Sequence, residues 1–120
     1  MGTSLNLSVN PVNIIWTGIS GWRYEFQLHQ IGADYLSREG IYIFCKLALN
    51  GAWDPVYVGQ THDFSGRLTK ELTRHHQWPG IIRAGATHIC TLHTPGYGEA
   101  KRIEIETDLR HGTRAPLNGQ

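Results

Sequence analysis

Gly40-Ile41-Tyr42-Ile43-Phe44-Cys45-Lys46 opens the stretch that decides the fold, and Val56-Tyr57-Val58-Gly59-Gln60-Thr61 closes it. Between the two runs lies Asn50-Gly51, a dipeptide that accepts the positive φ angles of a tight hairpin turn. Both runs are apolar and β-branched, and each carries a tyrosine. Paired antiparallel, they set Tyr42 and Tyr57 close together. Downstream, Asp63 reads as a helix N-cap, and Phe64, Leu68 and Leu72 recur at helical spacing. That helix, ending near His75, brings Arg67 beside the two phenols. Two phenols and a guanidinium at one place point to the handling of a phosphate, because a guanidinium meets two phosphate oxygens at once.

Outward from this stretch the pattern stays mixed. Val12 to Trp16 reads as a strand and Gly18 and Gly21 as a turn. From Trp22 to Leu28 the chain alternates, with Trp22, Tyr24, Phe26 and Leu28 on one side. That is the period of a half-buried strand, so residues 1–39 are expected to form an extension whose hairpin leans on a main domain of residues 40–120. Ile31 to Arg38 is ambiguous, a short helical turn being one reading. On the Asp63–His75 helix, Arg67, Lys70 and Arg74 share a basic stripe. Pro79 suits the first turn of a short helix and Gly85 its end. Thr87 to Leu92 reads as a third strand. Glu99 to His111 reads as the last helix, stopped by Gly112, and Pro116 keeps the tail extended.

The 120 residues fit one domain, and 40% apolar residues supply a modest core. A formal net charge of +1 gives no bulk signature of nucleic-acid binding, so any basic surface must be local. Both cysteines, Cys45 and Cys90, fall in apolar strands and are expected as buried free thiols. The opening Met1-Gly2-Thr3-Ser4-Leu5-Asn6 lacks a basic stretch backed by an apolar core, so no signal peptide is read. No apolar run approaches ~18 residues, so no membrane span is expected. A soluble, cytoplasmic protein follows as the expectation.

Gly40-Ile41-Tyr42 and Tyr57-Val58-Gly59, with Arg67 at a set distance beyond them, resemble the signature of the GIY-YIG nucleases, with valine for isoleucine in the second triplet. The resemblance extends to Asn118, because Glu106, Leu109, Pro116 and Asn118 match in order the family's closing helix and Pro-x-Asn tail. It implies an α+β domain with a small three-stranded antiparallel sheet flanked by helices. It also implies an endonuclease that hydrolyses DNA phosphodiesters in one step, with Mg²⁺ (Mn²⁺ as a substitute) held by Glu106. Tyr42 or Tyr57 would ready the attacking water and Arg67 would offset charge on the phosphate. Asn118 would brace the site or the backbone near Arg67.

The residues themselves bear on several of these roles. On a helical wheel Glu106 falls between Ile103 and Leu109, a costly place for a carboxylate without a partner or an ion, and an internal ion pair with Arg102 or Arg110 is the alternative to metal binding. Glu104 is the fallback ligand, on a more polar side. One carboxylate with waters and phosphate oxygens suits Mg²⁺. A zinc site from His88, Cys90 and His93 is disfavoured, since strand alternation turns His93 away from the other two. Relatives often carry a histidine one turn after the arginine. Glu71 stands there instead, which leaves His75 as the first choice of active-site histidine and His76 as the second. Lys70, Arg74 and Arg83 are the candidate DNA-phosphate contacts, and Trp16, Trp22, Trp53 and Trp78 the aromatic rings able to stack on bases. A lone site cuts one strand at a time, so cutting both calls for a homodimer, two events or an accessory protein. Two other readings remain open from sequence: a nucleic-acid-binding module without catalysis, and an interaction domain that needs no metal.

Overall fold

A computed structural model describes residues 12–119. Its centre is one antiparallel sheet of five strands: β1 (Asn13–Thr17), β2 (Arg23–Gln30), β3 (Gly40–Leu47), β4 (Trp53–Thr61) and β5 (His88–His93), in the order β1-β2-β5-β3-β4. This corrects the expected three-stranded sheet flanked by helices. β5 enters between β2 and β3, pairing Leu28 with Cys90 on one side and Ile43 with Cys90 on the other. The N-terminal hairpin thereby extends the central sheet instead of leaning on it. The result is a curled half-barrel with few helices.

The β3–β4 hairpin turns at Ala48–Ala52, with Gly51 at φ 87° and the Asn50 Oδ1 accepting from the Ala52 N–H. Glycine takes that φ without steric cost. β4 starts earlier than the sequence implied. Pro55 is accommodated at a bulge opposite Phe44 and Cys45, and β4 is an edge strand, where a missing N–H costs least.

Alternation along the strands divides the core in two. One face gathers Trp16, Phe26, Ile41, Ile43, Cys45, Val58 and Cys90 under helix α2 (Gly98–Thr113), which contributes Ile105 and Leu109. The other gathers Tyr42, Phe44, Val56, Tyr57 and Ile89 under Phe64, Leu68 and Ile81. Cys45 and Cys90 are buried free thiols with their sulfurs 3.8 Å apart.

The helical segments depart from the sequence reading in informative ways. No helical turn forms over residues 31–38. The long helix expected from Asp63 to His75 is broken into a π-helical turn (Gly66–Lys70) and a 3₁₀ turn (Leu72–Arg74). Arg74 therefore leaves the stripe of Arg67 and Lys70. The Asp63 carbonyl accepts from the Arg67 N–H, but its carboxylate makes no capping bond among the described residues. Helix α1 (Trp78–Arg83) is short, with Pro79 in its first turn and Gly85 beyond its end. α2 runs past Gly112 to Thr113 and stops at Arg114, which takes the left-handed conformation at φ 56°. Asp108 ties α2 to the β1–β2 turn by accepting from Ser20 N–H (2.9 Å), Ser20 Oγ (2.8 Å) and the Tyr24 hydroxyl (2.7 Å). Among the described residues, no helix is long and apolar enough to cross a membrane.

Candidate functional site

The register sets the two signature tyrosines on one face. Tyr42 lies opposite Gly59 and Phe44 opposite Tyr57. The phenols are thus diagonal neighbours, with ring centroids 6.3 Å apart. Gly59 makes this possible: a Cβ there would overlap the Tyr42 ring and its hydroxyl. The glycine of the second triplet is the gap through which the tyrosine of the first reaches the sheet edge.

The Tyr42 oxygen sits among nitrogen donors. His75 Nε2 is 2.7 Å away, and Arg67 Nε donates at 3.4 Å. His75 Nδ1 accepts from the Gln77 backbone N–H at 3.1 Å. An acceptor nitrogen carries no proton, so the neutral ring bears its hydrogen on Nε2 and donates to Tyr42. Burial, then the charge of Arg67 and the neighbouring His76, lowers the His75 pKa to about 4, so the ring is neutral at pH 7. Both His75 nitrogens are spent on holding Tyr42 and the chain. His75 is 2% exposed and serves as a positioning residue; His76, stacked on it at 4.9 Å with 10° between the rings, is exposed.

Burial raises the Tyr42 pKa, and the hydrogen bond and charge of Arg67 act in the opposite sense. Tyr57 is raised as well, first by burial and then by the charge of Glu106. The charge of Glu106 adds to the rise at both phenols, but among the described residues no hydrogen bond joins its carboxylate to either, and α2 packs on the opposite face of the sheet. β4 is the edge strand, and the chain turns round that edge here. Ala115 is buried in the core under α2, while Leu117 packs into the core of the other face. Between them Asn118 clasps the edge: its Oδ1 accepts from Val58 N–H at 2.8 Å and its Nδ2 donates to Val58 C=O at 2.9 Å. Asn118 thus braces the strand between Tyr57 and Gly59, and not the backbone near Arg67.

Glu106 is half-buried and forms no hydrogen bond or ion pair among the described residues. Burial raises its pKa, with Arg110 acting against the rise. The buried stripe of α2 is Arg102, Ile105 and Leu109; Ile103 is exposed, so Glu106 borders the core and does not interrupt it. Glu104 is exposed and paired with Lys101 at 2.8 Å, away from the phenols. Among the described residues, no group of three or more His, Cys, Asp or Glu side chains gathers where it would hold a metal. A single unpartnered carboxylate fits a hydrated Mg²⁺ completed by substrate oxygens and fits zinc poorly.

Arg67 opens on a cleft of about 510 Å³ whose lining mixes Lys70 and Arg102 with Asp63, Glu71 and Glu99; Tyr42, Tyr57, His75 and Glu106 do not line it. Of the expected phosphate contacts, the fold brings Lys70 to this cleft. Arg74 and Arg83 are exposed elsewhere, Arg83 at the end of α1. Arg102 and Arg110, read from the sequence only as possible ion-pair partners of Glu106, are engaged elsewhere. Arg102, buried on α2, donates to Glu39 Oε1 at 2.9 Å and to Gln60 Oε1 at 2.8 Å. Arg110 donates to the Asn118 carbonyl at 3.2 Å, and its Nε has no partner among the described residues. Their spacing on α2, with Arg102 at i−4 and Arg110 at i+4 from Glu106, aligns all three along one side of the helix. Trp16 and Phe26 are core residues, whereas Trp22 is exposed.

No protein-family model, no curated protein and no solved structure matches this chain.

Proposed function

We propose that the domain is a Mg²⁺-dependent endonuclease of the GIY-YIG kind, hydrolysing DNA phosphodiesters in one step. The observation that carries this reading is the Tyr42 oxygen held by Arg67 and His75, on the sheet face that also carries Tyr57. A structural tyrosine needs one partner for its hydroxyl. This one is surrounded by donors suited to an anionic oxygen.

In this account Tyr42 takes the proton of the attacking water. Its ordinary pKa of ~10 leaves little phenolate at neutral pH, and burial alone works against ionisation. Two N–H donors and the Arg67 charge favour the anion. Arg67, reaching from its cleft with Lys70 beside it, binds the phosphate and offsets its growing charge. Tyr57 lines the approach between Glu106 and the histidine pair. Glu106 holds the metal, which when bound would stabilise charge on the phosphate and the leaving oxygen. Asn118 and Gly59 fix the strand edge on which these groups depend. DNA is the partner, cut one strand at a time by a single domain, and a homodimer or an accessory protein would cut both. The cytoplasm is the compartment this reading favours.

The test is nicking of supercoiled plasmid by the purified protein with Mg²⁺, with Mn²⁺ and with EDTA. Metal-dependent conversion to the open circle supports the proposal. DNA binding without nicking would favour a non-catalytic module, and neither would favour an interaction domain.

A further inference from the structure

A larger cleft, about 710 Å³, lies on the other side of α2, between the β1–β2 turn, the end of β5 and the loop leading into α2. Volumes of ~300–1,000 Å³ are typical of small-molecule sites. Its lining is unlike that of the Arg67 cleft. Trp22 and Tyr97 are 67% and 49% exposed, which is costly for such large rings unless they meet something. Leu92 and Ile105 supply apolar wall between them. Thr94, only 1% exposed, also lines the cleft, and its buried hydroxyl has no hydrogen-bond partner among the described residues. A buried hydroxyl left unpaired is expensive.

The charges narrow the ligand. The lining carries both signs, Arg23 and Lys101 beside Glu25, Glu104 and Asp108. The carboxylates are engaged, Asp108 by Ser20 and Tyr24, Glu104 by Lys101 and Glu25 by Asn13, so the interior favours an uncharged group while Arg23 can meet a flanking phosphate. A planar, uncharged ring with polar edges meets every requirement: faces for the two aromatics, an edge for the Thr94 hydroxyl, and no negative charge of its own. We propose that this cleft holds an unpaired nucleobase of a single-stranded or locally opened DNA strand. The choice of a nucleobase over other planar rings rests on the nuclease reading, since α2 is the shared wall between this cleft and the Glu106 edge. The domain would then favour substrates that present an unstacked base near the scissile phosphate.

The probe is a short, fluorescently labelled single-stranded oligodeoxyadenylate, titrated with the intact protein in EDTA so that cleavage plays no part. Its counterpart is a strand of equal length with abasic positions. The base-bearing strand is expected to bind more tightly, and Trp22→Ala and Tyr97→Ala each to weaken it roughly 5- to 100-fold. Thr94→Val, which removes only the hydroxyl, should weaken it several-fold. Equal affinity for the abasic strand would overturn the proposal with the unmodified protein alone, and so would full affinity in folded Trp22→Ala/Tyr97→Ala. Because the titration needs no activity, base-dependent binding by a protein that never nicks plasmid would refute the nuclease reading while leaving this site standing.

Discussion

Asn118 holds Val58 by both of its backbone groups, the N–H at 2.8 Å and the carbonyl at 2.9 Å. A side-chain amide thus replaces the strand that β4 lacks on its outer edge. Val58 is fully buried, so losing the clasp leaves two polar groups without partners. Asn118→Ala is expected to cost about 2 kcal/mol of stability. The Val58 amide should exchange with solvent much faster than the amides of β3. Unchanged exchange at Val58 would show that the clasp is dispensable.

Gly59 and Tyr42 form a lock of shape. Gly59→Ala forces the phenol off the strand edge and is expected to destabilise by ~1–3 kcal/mol, the usual range for overpacking. With Tyr42→Ala already in place the added methyl has room, so most of that cost should vanish. A double-mutant cycle by urea denaturation measures the coupling. Strict additivity would mean that the ring and the glycine are not in steric register.

The fit of Gly59 against Tyr42 was not legible in the sequence, but the hairpin that carries it was, because it is local. Antiparallel pairing of the two runs set Tyr42 and Tyr57 close together, and Asn50-Gly51 marked the turn between them. The insertion of β5 between β2 and β3 was not legible, because strand pairing across more than 40 intervening residues leaves no periodicity to read. Nor was the π-helical turn carrying Arg67, whose extra residue is invisible in a Phe64–Leu68–Leu72 pattern that fits a regular helix. The sequence singled out His75, but its part in the site depends on the Gln77 N–H that takes up Nδ1, a bond set by backbone geometry. Arg102 looked like a possible partner of Glu106. It is instead engaged by Glu39 and Gln60, one residue before the first triplet and one after the second.

Glu106 is kept at a thermodynamic disadvantage. Burial raises its pKa, so at neutral pH the folded state bears an ionised carboxylate that the unfolded chain carries more cheaply. Glu106→Gln is expected to raise the thermal midpoint while abolishing Mg²⁺-dependent cutting, the trade-off common at functional sites. The penalty is present above the folded-state pKa and is relieved as pH falls, so the advantage of the variant should shrink in acid. A lower thermal midpoint at pH 7 would contradict this placement of the carboxylate.

His75 sets a second pH signature, of opposite sign. Its pKa is about 4 in the folded chain against ~6.5 when unfolded. The unfolded chain takes up a proton first as pH falls, so the stability is full above ~6.5 and is lost toward pH 4. The loss attached to this ring reaches about 3 kcal/mol at most. Urea midpoints at pH 7.5 and pH 5 should show His75→Gln, whose side chain does not titrate, losing less stability than the unmodified protein. Equal losses would place the ring in water.

The Tyr42 hydroxyl and the Arg67 guanidinium are proposed to act together on one phosphate. Single-turnover nicking of plasmid with saturating Mg²⁺, using Tyr42→Phe and Arg67→Ala with folding verified by circular dichroism, tests it most directly. Each variant is expected to lose ~10²–10³ in rate, and the double variant less than the product of the two. Cutting by either folded variant at the rate of the unmodified protein would contradict it.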